Sequence, residues 1–156
     1  MKKTAVFAGS FDPITVGHES IVRRALPLFD AIVISIGSNT TKQNYFTLEK
    51  RMQMIRDVFT DEEKIRVDKY EGLTVDYCKK INATYLLRGL RTSADFEFER
   101  AIAQLNKSMY PQVESVFLLT LPEHTHINST IVRDIIRYGG DAKKFLPEKI
   151  DLKKYL

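Results

Sequence analysis

Cysteine is nearly absent: Cys78 stands alone among 156 residues. A single thiol excludes an internal disulfide and a cysteine-built zinc site, and leaves Cys78 the role of a small buried hydrophobe. Long apolar runs are missing too. Nothing approaches the roughly 18 consecutive apolar residues of a membrane span, and Met1-Lys2-Lys3 leads into an apolar stretch of about six residues, too short for a secretory signal core. The expectation is a cytoplasmic protein that makes no use of a membrane. Linkers, low-complexity tracts and internal repeats are also absent, so residues 1–156 are read as one domain.

What is present is ordinary for a soluble globular chain, with 44% apolar and 28% charged residues. A formal charge of +4 suggests an anionic partner, although part of the excess lies in the basic stretch from Arg137 onward. Nucleic acid and phosphorylated small molecules attract the same cations, so charge alone does not choose between them.

The pattern alternates. Thr4 to Ala8, Ala31 to Ile36, Ile65 with Val67, Thr84 to Leu87 and Val116 to Leu121 read as strands. Helical spacing joins Ile21, Val22, Ala25, Leu26 and Phe29, with Pro27 ending that helix. It recurs at Leu48, Met52, Ile55 and Phe59 behind a Thr47 cap, and at Leu73, Tyr77, Cys78 and Ile81. Phe98, Ile102, Leu105 and Met109 stripe a long helix, and Ile131, Val132, Ile135 and Ile136 form a fifth, closed by Gly139-Gly140. The fold class this implies is α/β, a doubly wound, five-stranded parallel sheet covered on both faces. From Asp141 a short basic helix or tail is expected.

In such a sheet ligands sit at the carboxyl ends of the strands. The segments to search are Gly9 to His18, Ser38 to Phe46, Arg88 to Ala94 and Pro122 to Thr130. The first is no Walker loop, since no Gly-Lys-Ser/Thr follows, and no Gly-x-Gly-x-x-Gly fingerprint. It does lead into a helix start at Gly17-His18, where N–H groups and the positive end of the helix dipole favour anions. Lys42, Arg88, Arg91 and Arg133 fall on the other segments. Singly each reads as a solvated charge. Together on one sheet edge they point to a site for several phosphates. Asp12 either orients the turn or assists a hydrated metal.

Thr15-Val16-Gly17-His18 resembles the T/H-x-G-H signature of the nucleotidyltransferase superfamily, and Ile127-Asn128-Ser129-Thr130-Ile131-Val132-Arg133 its second signature, I-S-S-T-x-x-R. With FAGSFDPITVGH, LLRGLRTSADFEFE and ESVFLL in order, the whole chain is similar to the bacterial phosphopantetheine adenylyltransferases. The resemblance implies a Rossmann-like enzyme that joins ATP to 4′-phosphopantetheine, releasing dephospho-coenzyme A and pyrophosphate, with Mg2+. It implies roles on the reaction for His18, Lys42 and Arg91. On the nucleotide it implies Ser10, Phe11, His18, Gly89, Leu90, Arg91, Glu99 and the run His124, Thr125, His126, Ile127, Asn128, Ser129 and Thr130. On the acceptor it implies Ser10, Lys42, Thr74 and Arg88, and no residue is assigned to the metal. A homohexamer around a solvent channel is also implied. Two departures stand out: Asn128 replaces the first serine of the second signature, and His124-Thr125-His126 replaces an aromatic-led stretch beside the adenine.

The chemistry agrees with what is missing. A phosphate monoester, with a second pKa of about 6, is already an anionic nucleophile at neutral pH, so no general base is needed and no Ser-His-Asp constellation is seen. Three rivals remain at this point: a sister enzyme acting on nicotinate mononucleotide or a phosphorylated alcohol, a nucleic-acid-binding domain, and a silent nucleotide sensor. The nucleic-acid reading predicts cations on a convex face with exposed aromatics, rather than at strand ends.

Overall fold

The structure, a computed structural model, describes residues 1–38 and 43–156. Five strands, β1 (Thr4–Gly9), β2 (Ala31–Gly37), β3 (Ile65–Tyr70), β4 (Tyr85–Leu90) and β5 (Glu114–Leu119), form one parallel sheet in the order β3-β2-β1-β4-β5. Strand order therefore reverses at β1. The ladder between β1 and β2 runs from Thr4↔Ala31 to Gly9↔Ile36, whereas β1 and β4 pair only at Ala5↔Tyr85 and Val6↔Leu86. Beyond Val6 the two strands part, and a crevice opens at the switch point where doubly wound sheets bind ligands.

Four helices connect the strands, α1 (Val16–Ala25), α2 (Leu48–Val58), α3 (Thr74–Ile81) and α4 (Ser93–Met109), and a fifth, α5 (Ser129–Arg137), follows β5. Their ends follow local chemistry. Thr47 accepts from the Lys50 amide and Thr92 from that of Asp95, so both cap the helices they precede. Pro27 converts the end of α1 into a 3-10 turn over Leu26–Leu28. Gly139, at φ 77°, ends α5, and the Gly140 amide returns to Ile135 O at 2.8 Å.

The two faces of the sheet are unequally covered. On one, α1, α2 and α5 bury Phe7, Ile32, Ile34, Ile36, Met54, Ile55 and Leu87 in a large core. The other holds a smaller cluster of Val6, Ala8, Val75, Tyr77, Cys78, Leu86 and Val113. Cys78 is fully buried there, and burial pushes its thiol up to about 11. Helices cover both faces of the sheet as expected, but the stripe of α4 is not the face that is buried. Phe98 is 68% and Leu105 64% exposed. Periodicity marks a helix face as apolar without saying what covers it.

Two other expectations change. The fourth strand runs on through Arg88, Gly89 and Leu90, because Leu90 is buried and its ladder partner Leu119 extends with it. Arg88 and Gly89 are thus strand residues rather than loop residues. The stretch from Asp141 is no loose basic tail: it holds two short 3-10 turns, and around them Ala142, Leu146, Ile150 and Tyr155 are buried against the large core. Lys149 is tied to Asp61, which this lysine and Arg23 hold down to about 2.

Candidate active site

Two cavities, of about 320 and 290 Å³, lie side by side at the carboxyl ends of β1 and β4. Ala8, Gly9, Arg88 and Glu99 line both. The first cavity receives the starts of two helices, through Thr15, Gly17 and His18 of α1 and through Asn128 and Ser129 of α5. Two helix dipoles thus converge on it at their positive ends. The second runs from Ser10 past Gly37, Tyr70 and Thr74 toward Asn106 and Ser115. Among the described residues its lining is uncharged apart from the shared Arg88 and Glu99.

Thr15 and His18 cap α1 reciprocally. The His18 amide donates to Thr15 Oγ1 at 3.4 Å, and the Thr15 amide donates to His18 Nδ1 at 3.0 Å. An amide N–H needs a lone pair, so Nδ1 is unprotonated and the neutral ring carries its proton on Nε2. Phe11 packs edge-on against the imidazole at 5.0 Å between centroids. Burial first, then the Arg88 and Arg91 charges, hold the pKa of His18 down to about 4. At neutral pH the ring is therefore an uncharged N–H donor in the wall of the first cavity.

The loop beneath it is bolted in place. Asp12, 2% exposed, accepts from the Tyr45 amide at 2.8 Å and the Phe46 amide at 2.9 Å. Arg51, also buried, donates from Nη1 to Ser10 O at 2.8 Å and from Nε to Phe46 O at 3.1 Å. From the other side Arg133 Nη1 reaches Asp12 O and Ser129 Oγ reaches Pro13 O, both at 2.8 Å. This framework holds Phe11 at φ 46°, a backbone conformation uncommon for a bulky residue. Of the two readings of Asp12, the turn-orienting one fits, since both its oxygens are occupied by amides.

The opposite wall is built from ion pairs. Arg88 is held by Glu99 in a bidentate pair, Nε to Oε2 at 2.9 Å and Nη2 to Oε1 at 2.7 Å. Its Nη1 donates to Ala8 O at 2.6 Å, bridging the gap that the parted strands leave. Arg91 contacts Asp95 with its backbone N at 3.0 Å and its Nε at 3.3 Å. Close packing of this wall on α1 depends on Gly89: a Cβ there would come within 3.0 Å of Ile21 Cγ1.

Residues 6–135 match the model of the cytidylyltransferase-like family. The phosphopantetheine adenylyltransferases of Flavobacterium psychrophilum and Flavobacterium johnsoniae are 50% and 51% identical to the chain, each alignment covering 97% of it and 99% of the relative. That of Cytophaga hutchinsonii is 45% identical over 96% of the chain and 100% of its own length. The chain belongs to the phosphopantetheine adenylyltransferase family. Among solved structures, a bifunctional NMN adenylyltransferase/ADP ribose pyrophosphatase from Francisella tularensis superposes with a TM-score of 0.74 at 18% identity, over 96% of this chain and 46% of that one. At that distance the likeness is one of fold.

The structure gathers most of the residues that the family resemblance named. Phe11, His18, Gly89, Arg91, Glu99, His124, Ile127, Asn128 and Ser129 surround or underlie the first cavity, and Ser10, Thr74, Arg88 and Glu99 line the second. Ser10 is on the second cavity only. Leu90 is buried away from both, Thr125, His126 and Thr130 are exposed outside them, and Lys42 lies outside the described residues. Arg133, counted in the sequence as a ligand-edge cation, instead holds the Asp12 carbonyl and Thr130 Oγ1.

Sequence reasoning overlooked Asp95, Phe98 and Thr120 in the first cavity and Tyr70, Asn106 and Ser115 in the second. Asp95 had a signal, an acid four residues after Arg91 at a helix start. Arg51 had none, because one arginine in an amphipathic helix looks solvated.

Proposed function

We propose that the chain transfers the adenylyl group of ATP to 4′-phosphopantetheine, giving dephospho-coenzyme A and pyrophosphate. The observation that carries this reading is the pair of adjoining cavities with Arg88 in their common wall. Two anions entering from either side meet where one attacks the other, and proximity of that kind supplies much of the rate. The triphosphate takes the first cavity, with its two helix starts, His18 and Arg91. The acceptor takes the second, whose lining beyond Arg88 and Glu99 is uncharged among the described residues and suits the long amide arm of pantetheine better than a charged nicotinate ring. That difference favours this acceptor over a nucleotide one.

The acceptor phosphate is the nucleophile. It needs no deprotonation at neutral pH, and His18, with its proton on Nε2 and Nδ1 turned to Thr15, offers no free base. His18 donates to an oxygen of the α-phosphoryl group as charge builds there, and Arg91 balances charge on the departing pyrophosphate. Lys42 and Ser10 hold the acceptor phosphate. The cations face strand ends rather than a convex surface, which disfavours a nucleic-acid partner.

For magnesium the residues do not form a cage. No group of three or more His, Cys, Asp or Glu able to hold a metal occurs among the described residues. Asp12 is taken by amides, Asp95 by Arg91 and Glu99 by Arg88. Mg2+ accordingly enters as part of the MgATP substrate, bound chiefly by phosphate oxygens and water. The bare apolar face of α4 supports self-association, and we take the assembly to be a hexamer acting in the cytoplasm. Among the described residues no helix is long and apolar enough to cross a membrane.

The test is pyrophosphate release from ATP with 4′-phosphopantetheine, nicotinate mononucleotide, a phosphorylated alcohol and unphosphorylated pantetheine. Release with the first alone is expected. Faster turnover of another acceptor would reassign the second cavity, and ATP binding without release from any would make the protein a sensor.

A further inference from the structure

The Arg88–Glu99 pair is asymmetric. The Arg88 side chain is 36% exposed and that of Glu99 11%, so although both line the two cavities the base is the more accessible partner. Glu99 comes from α4 and Arg88 from β4, and both its carboxylate oxygens are taken up by Nε and Nη2 of that one arginine. Ala8 O takes a third N–H. A guanidinium has five N–H donors, so two remain, on the edge left over once Glu99 and Ala8 are served. That edge is the part of the pair available to an anion. Without its partner a long arginine side chain at a parted strand junction would sample many rotamers, and ordering it would fall to the incoming ligand.

We infer that Glu99 is a positioning residue that reaches both substrates through Arg88, by aiming its two spare N–H donors along the wall common to the cavities. The inference rests on the proposed assignment of the cavities, and changes one part of the family expectation: Glu99 acts on the nucleotide indirectly. A carboxylate facing a triphosphate directly would repel it, whereas one engaged by a guanidinium presents cationic N–H groups.

A double-mutant cycle on the full chain tests this, with calorimetric binding of ATP and of 4′-phosphopantetheine to wild type, Glu99→Gln, Arg88→Ala and the double variant, alongside unfolding midpoints. Glu99→Gln is expected to weaken acceptor binding about tenfold and ATP binding about threefold in the wild-type background, the size of a misaimed charge-assisted contact. In the Arg88→Ala background the same change is expected to alter neither by more than about twofold. Equal effects of Glu99→Gln in both backgrounds would overturn the inference and give Glu99 a direct contact. Absence of binding by folded wild type would instead overturn the proposed function and this inference with it. If Glu99→Gln fails to fold, Glu99→Asp completes the cycle: it keeps the charge, shortens the reach, and is expected to show the same dependence on Arg88.

Discussion

The two walls of the site are built on different principles. The loop wall, residues 9–15, is fastened by Asp12, Arg51, Arg133 and Ser129 through buried and partly buried hydrogen bonds, and Asp12 and Arg51 are themselves buried residues. It sits over the large core. The α4 wall is held by the partly exposed pairs Arg88–Glu99 and Arg91–Asp95, and its helix turns Phe98 and Leu105 to solvent. Burial makes the loop wall rigid. The α4 wall relies on contacts that water can reach.

The comparison breaks most easily at Asp12. Asp12→Ala strands two amides, those of Tyr45 and Phe46, and each such loss costs about 1–3 kcal/mol, so a total of about 2–6 kcal/mol is expected in urea unfolding. Asp12→Asn keeps one acceptor oxygen and should lose less. Asp95→Ala, on the other wall, should cost under about 1 kcal/mol, because water reaches its partners. Equal losses at the two positions would end the distinction between the walls.

The next effect is kinetic. His18→Ala is expected to lower turnover about 10²-fold or more while leaving ATP affinity within a few-fold, since in the proposed mechanism its N–H acts on charge that develops only in the transition state. Its ionisation can be followed directly by nitrogen NMR of the free protein. The ring should be the Nε2–H tautomer at pH 7 and titrate near pH 4. Because the folded pKa lies below the unfolded value of about 6.5, the unfolded chain binds the proton first as pH falls. The stability that His18 contributes is whole above about pH 6.5 and lost progressively toward pH 4. A midpoint near 6.5 would mean that the ring is solvated and the loop wall open.

Much of this was legible in the chain. β-Branched runs and helical stripes located the five strands and five helices, since spacing reports backbone periodicity, and the T-x-G-H and N-S-T segments located both helix starts. Two things could not be read. The counter-ions were invisible as such: Arg88 finds Glu99 from another element, and no local spacing announces that geometry. The bare face of α4 was misread as covered, because an apolar stripe looks the same in sequence whether it meets the sheet or another molecule.

On the α4 wall, Arg91→Ala is expected to raise the Michaelis constant for ATP about tenfold and that for the acceptor much less, since Arg91 lines the first cavity and not the second. Initial-rate measurements with each substrate varied separately would show it. Proportionate increases in both constants would mean that Arg91 serves the junction as Arg88 does.

The smallest effect tests whether rigidity on the loop wall depends on residue identity or on hydrogen bonding alone. Asn128 stands where the family signature has serine, and its Oδ1 accepts from the Ile131 amide at 2.9 Å, capping α5 beside the first cavity. Serine offers the same acceptor at the same place, and the two residues are nearly equivalent caps. Asn128→Ser is therefore expected to change stability by less than about 0.5 kcal/mol and turnover by less than about twofold, whereas Asn128→Ala, with no acceptor, should cost about 1 kcal/mol. Ser129 would still hold Pro13 O in all three chains, so the loop stays attached to α5 and the measurement isolates the cap. Unfolding midpoints and pyrophosphate release for the three proteins decide it. Should Asn128→Ser lose as much as Asn128→Ala, the amide nitrogen of Asn128, absent from serine, would be the group that matters, and its partner would have to be sought among the phosphates.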